Sequence, residues 1–203
     1  AAGGFEMLVA QAVFAAEHFT GKTLDSAAII PDVSRRLRHE LANVSIIGMP
    51  GCGKSTVGAS LAKQLGKKFV DLDAEIERRT GYTIPDIFAQ EGEAAFRRYE
   101  ADVLADIAKG NSQVIACGGG VIKNPANSRA LRQNGPVLWV RRPLEALATG
   151  GRPLSKGGAA LKQLEAERTP LYEAASTVVL ENNGSLTAAV DKAVQLFEAD
   201  ERL

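Results

Sequence analysis

Cysteine is scarce in this chain of 203 residues, with only Cys52 and Cys117. That excludes a disulfide framework, and the spacing of metal-binding cysteine motifs is absent. Both cysteines adjoin glycine-rich segments, so two outcomes stay open: a regulatory pair, or two reduced thiols of the cytosolic kind, which is the expected state. An excess of either charge is also missing: Lys and Arg total 24 against 24 Asp and Glu. Global charge therefore points to neither nucleic acid nor a membrane, and any anion site has to be local. No apolar run reaches membrane-spanning length, no signal peptide opens the chain, and no internal repeat or low-complexity tract occurs. The chain opens on Ala1 rather than Met and is expected to be a piece of a longer polypeptide. Hydrophobic residues at 45% and charged residues at 24% are those of an ordinary globular domain large enough to fold without staples.

The pattern divides near residue 42. Residues 1–42 read as a helical appendage: an apolar segment from Phe5 to about Phe19, stopped by Gly21, then a loose stretch through Pro31. Asp32 is expected to cap a short basic helix with Arg35, Arg36, Arg38 and His39, whose charges read as a solvated face rather than an anion site. From Asn43 onward, short β-branched runs alternate with helical stretches. The runs are Val44-Ser45-Ile46-Ile47, Phe69-Val70, Val114-Ile115-Ala116-Cys117, Val137-Leu138-Trp139-Val140 and Thr177-Val178-Val179-Leu180. Helices are expected from Lys54 to Gln64, Ile84 to Gln90, Glu91 to Ala108 and Leu186 to Glu198. The alternation predicts an α/β domain over 43–203, a parallel sheet covered on both faces.

Gly48-Met49-Pro50-Gly51-Cys52-Gly53-Lys54-Ser55 completes the pattern G-x-x-x-x-G-K-[ST], between a buried strand and a helix, and Thr56 follows. Glycines let the backbone wrap a phosphate with N–H groups pointing inward, and the helix start aims its positive dipole end at the same place. Gly51, Cys52, Gly53, Lys54, Ser55 and Thr56 are thus the candidate ATP-binding residues. Lys54 would serve the β- and γ-phosphates, and the Ser55 hydroxyl would be a ligand for Mg²⁺. The motif alone leaves kinases, GTPases and motor ATPases open. No Asn-Lys-x-Asp guanine-reading motif appears, and the chain is short for a motor.

Other segments must define an acceptor. Asp71 and Asp73 follow the second strand run, where extended geometry would put both carboxylates on one side, facing the crevice. One suits the water shell of Mg²⁺ and the other a hydroxyl proton; Asp73 could equally cap a helix starting at Ala74. Arg97 and Glu100 are i, i+3 neighbours that could simply pair. Gly118-Gly119-Gly120 offers bare backbone for close approach of a small polar ligand. Arg152, among glycines, reads as the arginine of a closing lid. Arg168, before an expected proline break at Pro170, suits bidentate capture of a carboxylate.

In this order these segments resemble the shikimate kinases, from about residue 43 to the end. The resemblance rests on 48–56, Asp71-Leu72-Asp73, Phe96-Arg97-Arg98, Gly118-Gly119-Gly120, Arg152-Pro153-Leu154 and Arg168-Thr169-Pro170-Leu171-Tyr172. It implies a nucleoside-monophosphate-kinase-like P-loop fold with a five-stranded parallel sheet, and phosphorylation of the shikimate 3-hydroxyl by ATP on the way to chorismate. It further implies that Asp73 is the base and binds the hydroxyls, and that Arg97 and Arg168 grip the carboxylate. Gly118, Gly119 and Gly120 would line the pocket, Asp71 would stand in the magnesium shell, and Arg152 near the phosphates.

Two departures bear on the adenine. The lid is short, and Ala148 stands where an arginine often stacks, with none in Glu181-Asn182-Asn183-Gly184 to replace it. A gluconate-type kinase and a nucleotide-binding scaffold without catalysis remain as alternatives. Gly4-Phe5-Glu6-Met7-Leu8-Val9-Ala10-Gln11-Ala12 resembles the C-terminal helix of shikimate dehydrogenase, in which the glutamine matching Gln11 contacts shikimate. That implies a native fusion of the two enzymes. With no dinucleotide-binding Gly-x-Gly-x-x-Gly, this chain is not a dehydrogenase by itself.

Overall fold

The structure is a computed structural model that describes residues 4–147 and 158–200. It divides into two compact units between Leu41 and Ala42.

The first unit is a pair of helices, α1 (Gly4–Thr20) and α2 (Ser26–Leu41). Val9 and Val13, one turn apart on α1, are its buried apolar contacts. Arg38 on α2 reaches Glu6 on α1 at 2.9 Å. The second helix differs from the expected loose stretch. It starts about two turns earlier, where the Asp25 carboxylate accepts the Ala28 N–H at 3.2 Å, and it carries Pro31 inside. The early cap and the bridge to α1 hold the helix across the one donor that proline lacks. Asp32 is therefore no cap; it pairs with Arg35 at 2.9 Å and Arg36 at 3.0 Å.

The second unit runs β1 (Val44–Ile47), α3 (Lys54–Leu65), β2 (Lys68–Asp71), α4 (Leu72–Thr80), α5 (Ile84–Gln90), α6 (Gly92–Ile107), β3 (Gln113–Ala116), α7 (Pro125–Gln133), β4 (Val137–Arg141), α8 (Gly158–Ala175), β5 (Val178–Glu181) and α9 (Leu186–Glu198). The five strands form one sheet in the order β2-β3-β1-β4-β5, and every pairing is parallel. Central β1 and β3 are buried along their whole length, with Ile46, Ile47 and Val114 at 0% exposure. That is why they read as unbroken apolar runs rather than alternating ones. Because all strands point the same way, the segments leaving β1, β2 and β3 emerge on one edge of the sheet.

Two expected boundaries move. Helix α4 begins at Leu72, directly off β2, and its N-cap is Asp71, whose carboxylate accepts the N–H groups of Asp73 at 3.1 Å and Ala74 at 3.3 Å. Asp73 thus lies in the first helical turn, not in extended chain, and the strand argument for its direction does not apply. Helix α8 passes through Pro170 to Ala175 instead of breaking. Its end is held from α7, where the Arg132 guanidinium donates to the carbonyls of Ala174, Ala175 and Ser176.

Candidate active site

The loop leaving β1 begins at Gly48, where a side chain would meet the Val140 carbonyl oxygen at 2.3 Å. It ends at Gly53, the N-cap of α3, with φ of 97° and no side-chain cap. The first-turn N–H groups of α3 are thereby left without a side-chain acceptor, the arrangement that suits an anion. Lys54 is 8% exposed, and its ammonium donates to the carbonyls of Gly48 and Met49, both at 3.0 Å. The Ser55 hydroxyl donates to the other Asp71 oxygen at 2.6 Å, so Asp71 both caps α4 and joins β2 to the loop. Cys52 turns its side chain inward at 0% exposure, and Cys117 is buried as well. Neither thiol is joined in a disulfide. Burial pushes the Cys117 thiol far up, which leaves it inert as a nucleophile.

A cavity of about 460 Å³ opens beside this loop, lined by Gly51, Gly53, Lys54, Ser55, Thr56, Asp71 and Asp73 at one end and by Phe88, Arg97, Glu100, the three glycines and Arg168 at the other. Each glycine after β3 makes room for a different partner. A side chain at Gly118 would come within 2.8 Å of the Asp73 carboxylate, at Gly119 within 2.9 Å of Pro50, and at Gly120 within 2.5 Å of the Arg97 guanidinium. The segment is thus bare because the phosphate loop, α4 and α6 all close on it. Helix α8 closes the remaining side: the Gly119 carbonyl accepts from the Arg168 guanidinium at 2.9 Å and from the Tyr172 hydroxyl at 2.6 Å. Tyr172 is fully buried, stacked on Trp139 with centroids 5.7 Å apart, and burial pushes its hydroxyl well above the usual tyrosine range.

Arg97 and Glu100 do pair, at 2.7 Å, and Arg97 also reaches Glu93 at 3.2 Å. Pairing and site membership are therefore compatible. Glu100 is the cavity residue that motif reasoning passed over. It is 1% exposed, and its second oxygen has no hydrogen-bond partner among the described residues. Burial holds its carboxyl above the ordinary glutamate range against the opposing pull of Arg97; the negative charge of Asp73 adds to the rise. The signal was in the helical spacing. Phe96, Glu100, Val103, Leu104 and Ile107 form one inward stripe of α6, with a carboxylate at a core position.

The structure brings together Gly51, Gly53, Lys54, Ser55, Thr56, Asp71, Asp73, Arg97, Gly118, Gly119, Gly120 and Arg168 around one cavity. Arg152 and Ala148 lie outside the described residues. Asn182, from the segment expected to leave adenine without an arginine, is found supporting the phosphate loop, its amide donating to the Cys52 carbonyl at 2.8 Å. Among the described residues no group of three or more His, Cys, Asp or Glu could hold a metal, and no helix is long and apolar enough to cross a membrane. The Ser55–Asp71 oxygen pair still fits Mg²⁺, which keeps several waters and takes few protein ligands when it is bound with phosphates.

A model of the shikimate kinase family matches residues 50–198. The shikimate kinase of Nitrosomonas europaea is 43% identical over 162 residues, covering 75% of this chain and 77% of that one. The shikimate kinase of Clostridium botulinum strain Alaska E43 is 39% identical over 154 residues, covering 73% and 93%. Among solved structures, the shikimate kinase of Acinetobacter baumannii in complex with shikimate superposes with a TM-score of 0.76 at 36% identity, covering 82% of this chain and 98% of that one. The Aquifex aeolicus enzyme gives 0.70 at 30% identity, covering 78% and 97%.

Proposed function

This chain belongs to the shikimate kinase family, and we propose that its cleft works as two matched ends, the phosphate loop for ATP and the glycine-lined pocket for shikimate. It is a kinase that phosphorylates the shikimate 3-hydroxyl with ATP. The observation that carries the assignment of roles is the convergence of Asp73, Arg97, Arg168 and three bare glycines on the cavity that also holds Lys54 and Ser55.

In this reading the loop and the first turn of α3 bind the β- and γ-phosphates, and Lys54 exchanges its loop carbonyls for phosphate oxygens. Ser55 and, through water, Asp71 would hold Mg²⁺, which when bound neutralises charge on the phosphates. Arg97 and Arg168 take the shikimate carboxylate, Arg97 kept in place by Glu93 and Glu100, Arg168 by the Gly119 carbonyl. That orientation presents the 3-hydroxyl to Asp73, which accepts its proton as the oxygen attacks phosphorus. Arg152 is proposed to steady the transferring phosphoryl from the lid. The test is Asp73→Asn, which keeps size and hydrogen bonding but cannot take a proton. It should lower kcat by at least ~10²-fold with both KM values within a few-fold; a variant with near-normal turnover removes Asp73 as base.

We also propose that residues 1–42 are an appendage related to the tail of shikimate dehydrogenase and that 43–203 is the kinase domain, so that the natural polypeptide joins both enzymes. In support, α1 turns Met7, Leu8, Phe14 and Phe19 outward at 58%, 61%, 57% and 86% exposure, an apolar face larger than a solvated helix ordinarily shows. Removing residues 1–40 should leave shikimate phosphorylation intact. A truncated protein that folds but no longer phosphorylates shikimate would assign those helices to the kinase instead.

A further inference from the structure

Asn182 is the first residue after β5, and it is 6% exposed. Its backbone N–H donates to the Arg141 carbonyl at 2.8 Å, which extends the β4–β5 pairing by one bond and fixes the residue against the sheet. Its side-chain amide crosses 130 residues of sequence to donate to the carbonyl of Cys52, in the middle of the phosphate loop, at 2.8 Å. The next loop residue is Gly53, at φ of 97°, and a side chain there would stand 2.8 Å from the same amide nitrogen. Asparagine at 182 and glycine at 53 therefore fit as a pair: the amide occupies the space that a Cβ would take.

The consequence follows from peptide geometry. In a planar trans peptide the carbonyl oxygen and the next N–H point in opposite directions. Holding the Cys52 oxygen toward β5 turns the Gly53 N–H the other way. Gly53 and the residues that follow it, Lys54, Ser55 and Thr56, line the cavity. We propose that Asn182 is a positioning residue of the nucleotide site, which fixes the Cys52–Gly53 peptide so that its N–H faces the phosphates. The bond also gives a partner to a carbonyl that the turn of the loop takes out of the sheet ladder. Asn182 acts on the nucleotide end only. The glycine segment and Arg168, which serve the acceptor, are tied to each other and to α8 by separate bonds.

This inference rests on the ATP reading of the loop, and the experiment separates the two. ADP and shikimate binding are measured by titration calorimetry on the full chain, with KM for ATP and for shikimate, for wild type, Asn182→Ala and Asn182→Asp. Losing one buried hydrogen bond that orients a donor should weaken ADP binding and raise KM for ATP about tenfold in the alanine variant. Aspartate has the same shape but sets an acceptor against the carbonyl, so its loss should be larger. Shikimate affinity and KM for shikimate should stay within about twofold. Asn182→Ser, which leaves room for a bridging water, provides the same reading if the other two do not fold. Unchanged ADP affinity in any folded variant overturns the proposal, as does an equal loss for both ligands, which would mark Asn182 as a general structural support. A wild-type chain that binds no ADP overturns both this inference and the ATP reading.

Discussion

The two ends of the cleft are built by opposite means. The proposed phosphate end is a single stretch of chain, Gly48 to Thr56, and what it offers is backbone shape and one lysine. The acceptor end is assembled from α4, α6, the segment after β3 and α8, and its function resides in side chains that reach across one another. The first is set by local conformation. The second exists only once the sheet has aligned its helices. Removing Lys54, which reaches the transferring group, should therefore appear as lost chemistry, while displacing Arg97, which only holds the acceptor, should appear as lost affinity for one substrate.

The largest expected effect tests the phosphate end. Lys54→Ala should cut kcat by ~10²-fold or more, comparable to removing one preorganised donor from a transition state. The fold should persist with a lowered melting temperature, because two buried loop carbonyls lose the donor that Lys54 supplies. Near-normal turnover would break the comparison at its first half. The next effect tests the acceptor end by sterics alone. Gly120 has φ of −106°, which any residue can adopt, yet a methyl group there would stand 2.5 Å from the Arg97 guanidinium. Gly120→Ala should displace Arg97 and raise KM for shikimate about ten- to a hundredfold, the cost of one charge-assisted contact. KM for ATP should move little. Equal rises in both would show that the ends are not separable.

The smallest effect concerns Glu100. Its folded pKa is raised, chiefly by burial. With that sign its favourable contribution is complete at low pH and is lost as pH rises through the raised value. Glu100→Gln has no such titration. The stability of wild type relative to the variant should therefore decline as pH climbs from the ordinary glutamate range upward, read as the difference in Tm across a pH series. A difference that grows in favour of wild type would mean that the Arg97 pair outweighs burial.

The same contrast explains what the sequence revealed. The phosphate loop was legible because its residues are contiguous and its strand and helix adjoin it; β1, α5 and α9 have the expected ends because turn residues and apolar runs bound them. The errors arose where a tertiary partner overrides a local rule. Pro31 and Pro170 sit inside helices whose later turns are held by an ion pair to α1 and by the Arg132 clamp. Asp71 rather than Asp73 caps α4 because helix follows strand without a loop, which spacing alone did not reveal. Glu100 reads in the sequence only as a pairing partner of Arg97; the packing of α6 places it in the core. The contact of Asn182 with Cys52 joins residues too far apart in sequence for any window to connect.

The central claim, that both ends serve one transfer, is tested most directly by acceptor-dependent ADP release. The full chain with ATP and Mg²⁺ is offered shikimate, quinate or gluconate, and ADP and phosphorylated product are quantified together. ADP should form in step with shikimate 3-phosphate, with quinate and gluconate near background. A preference for gluconate, or ADP release that no acceptor increases, would contradict the account.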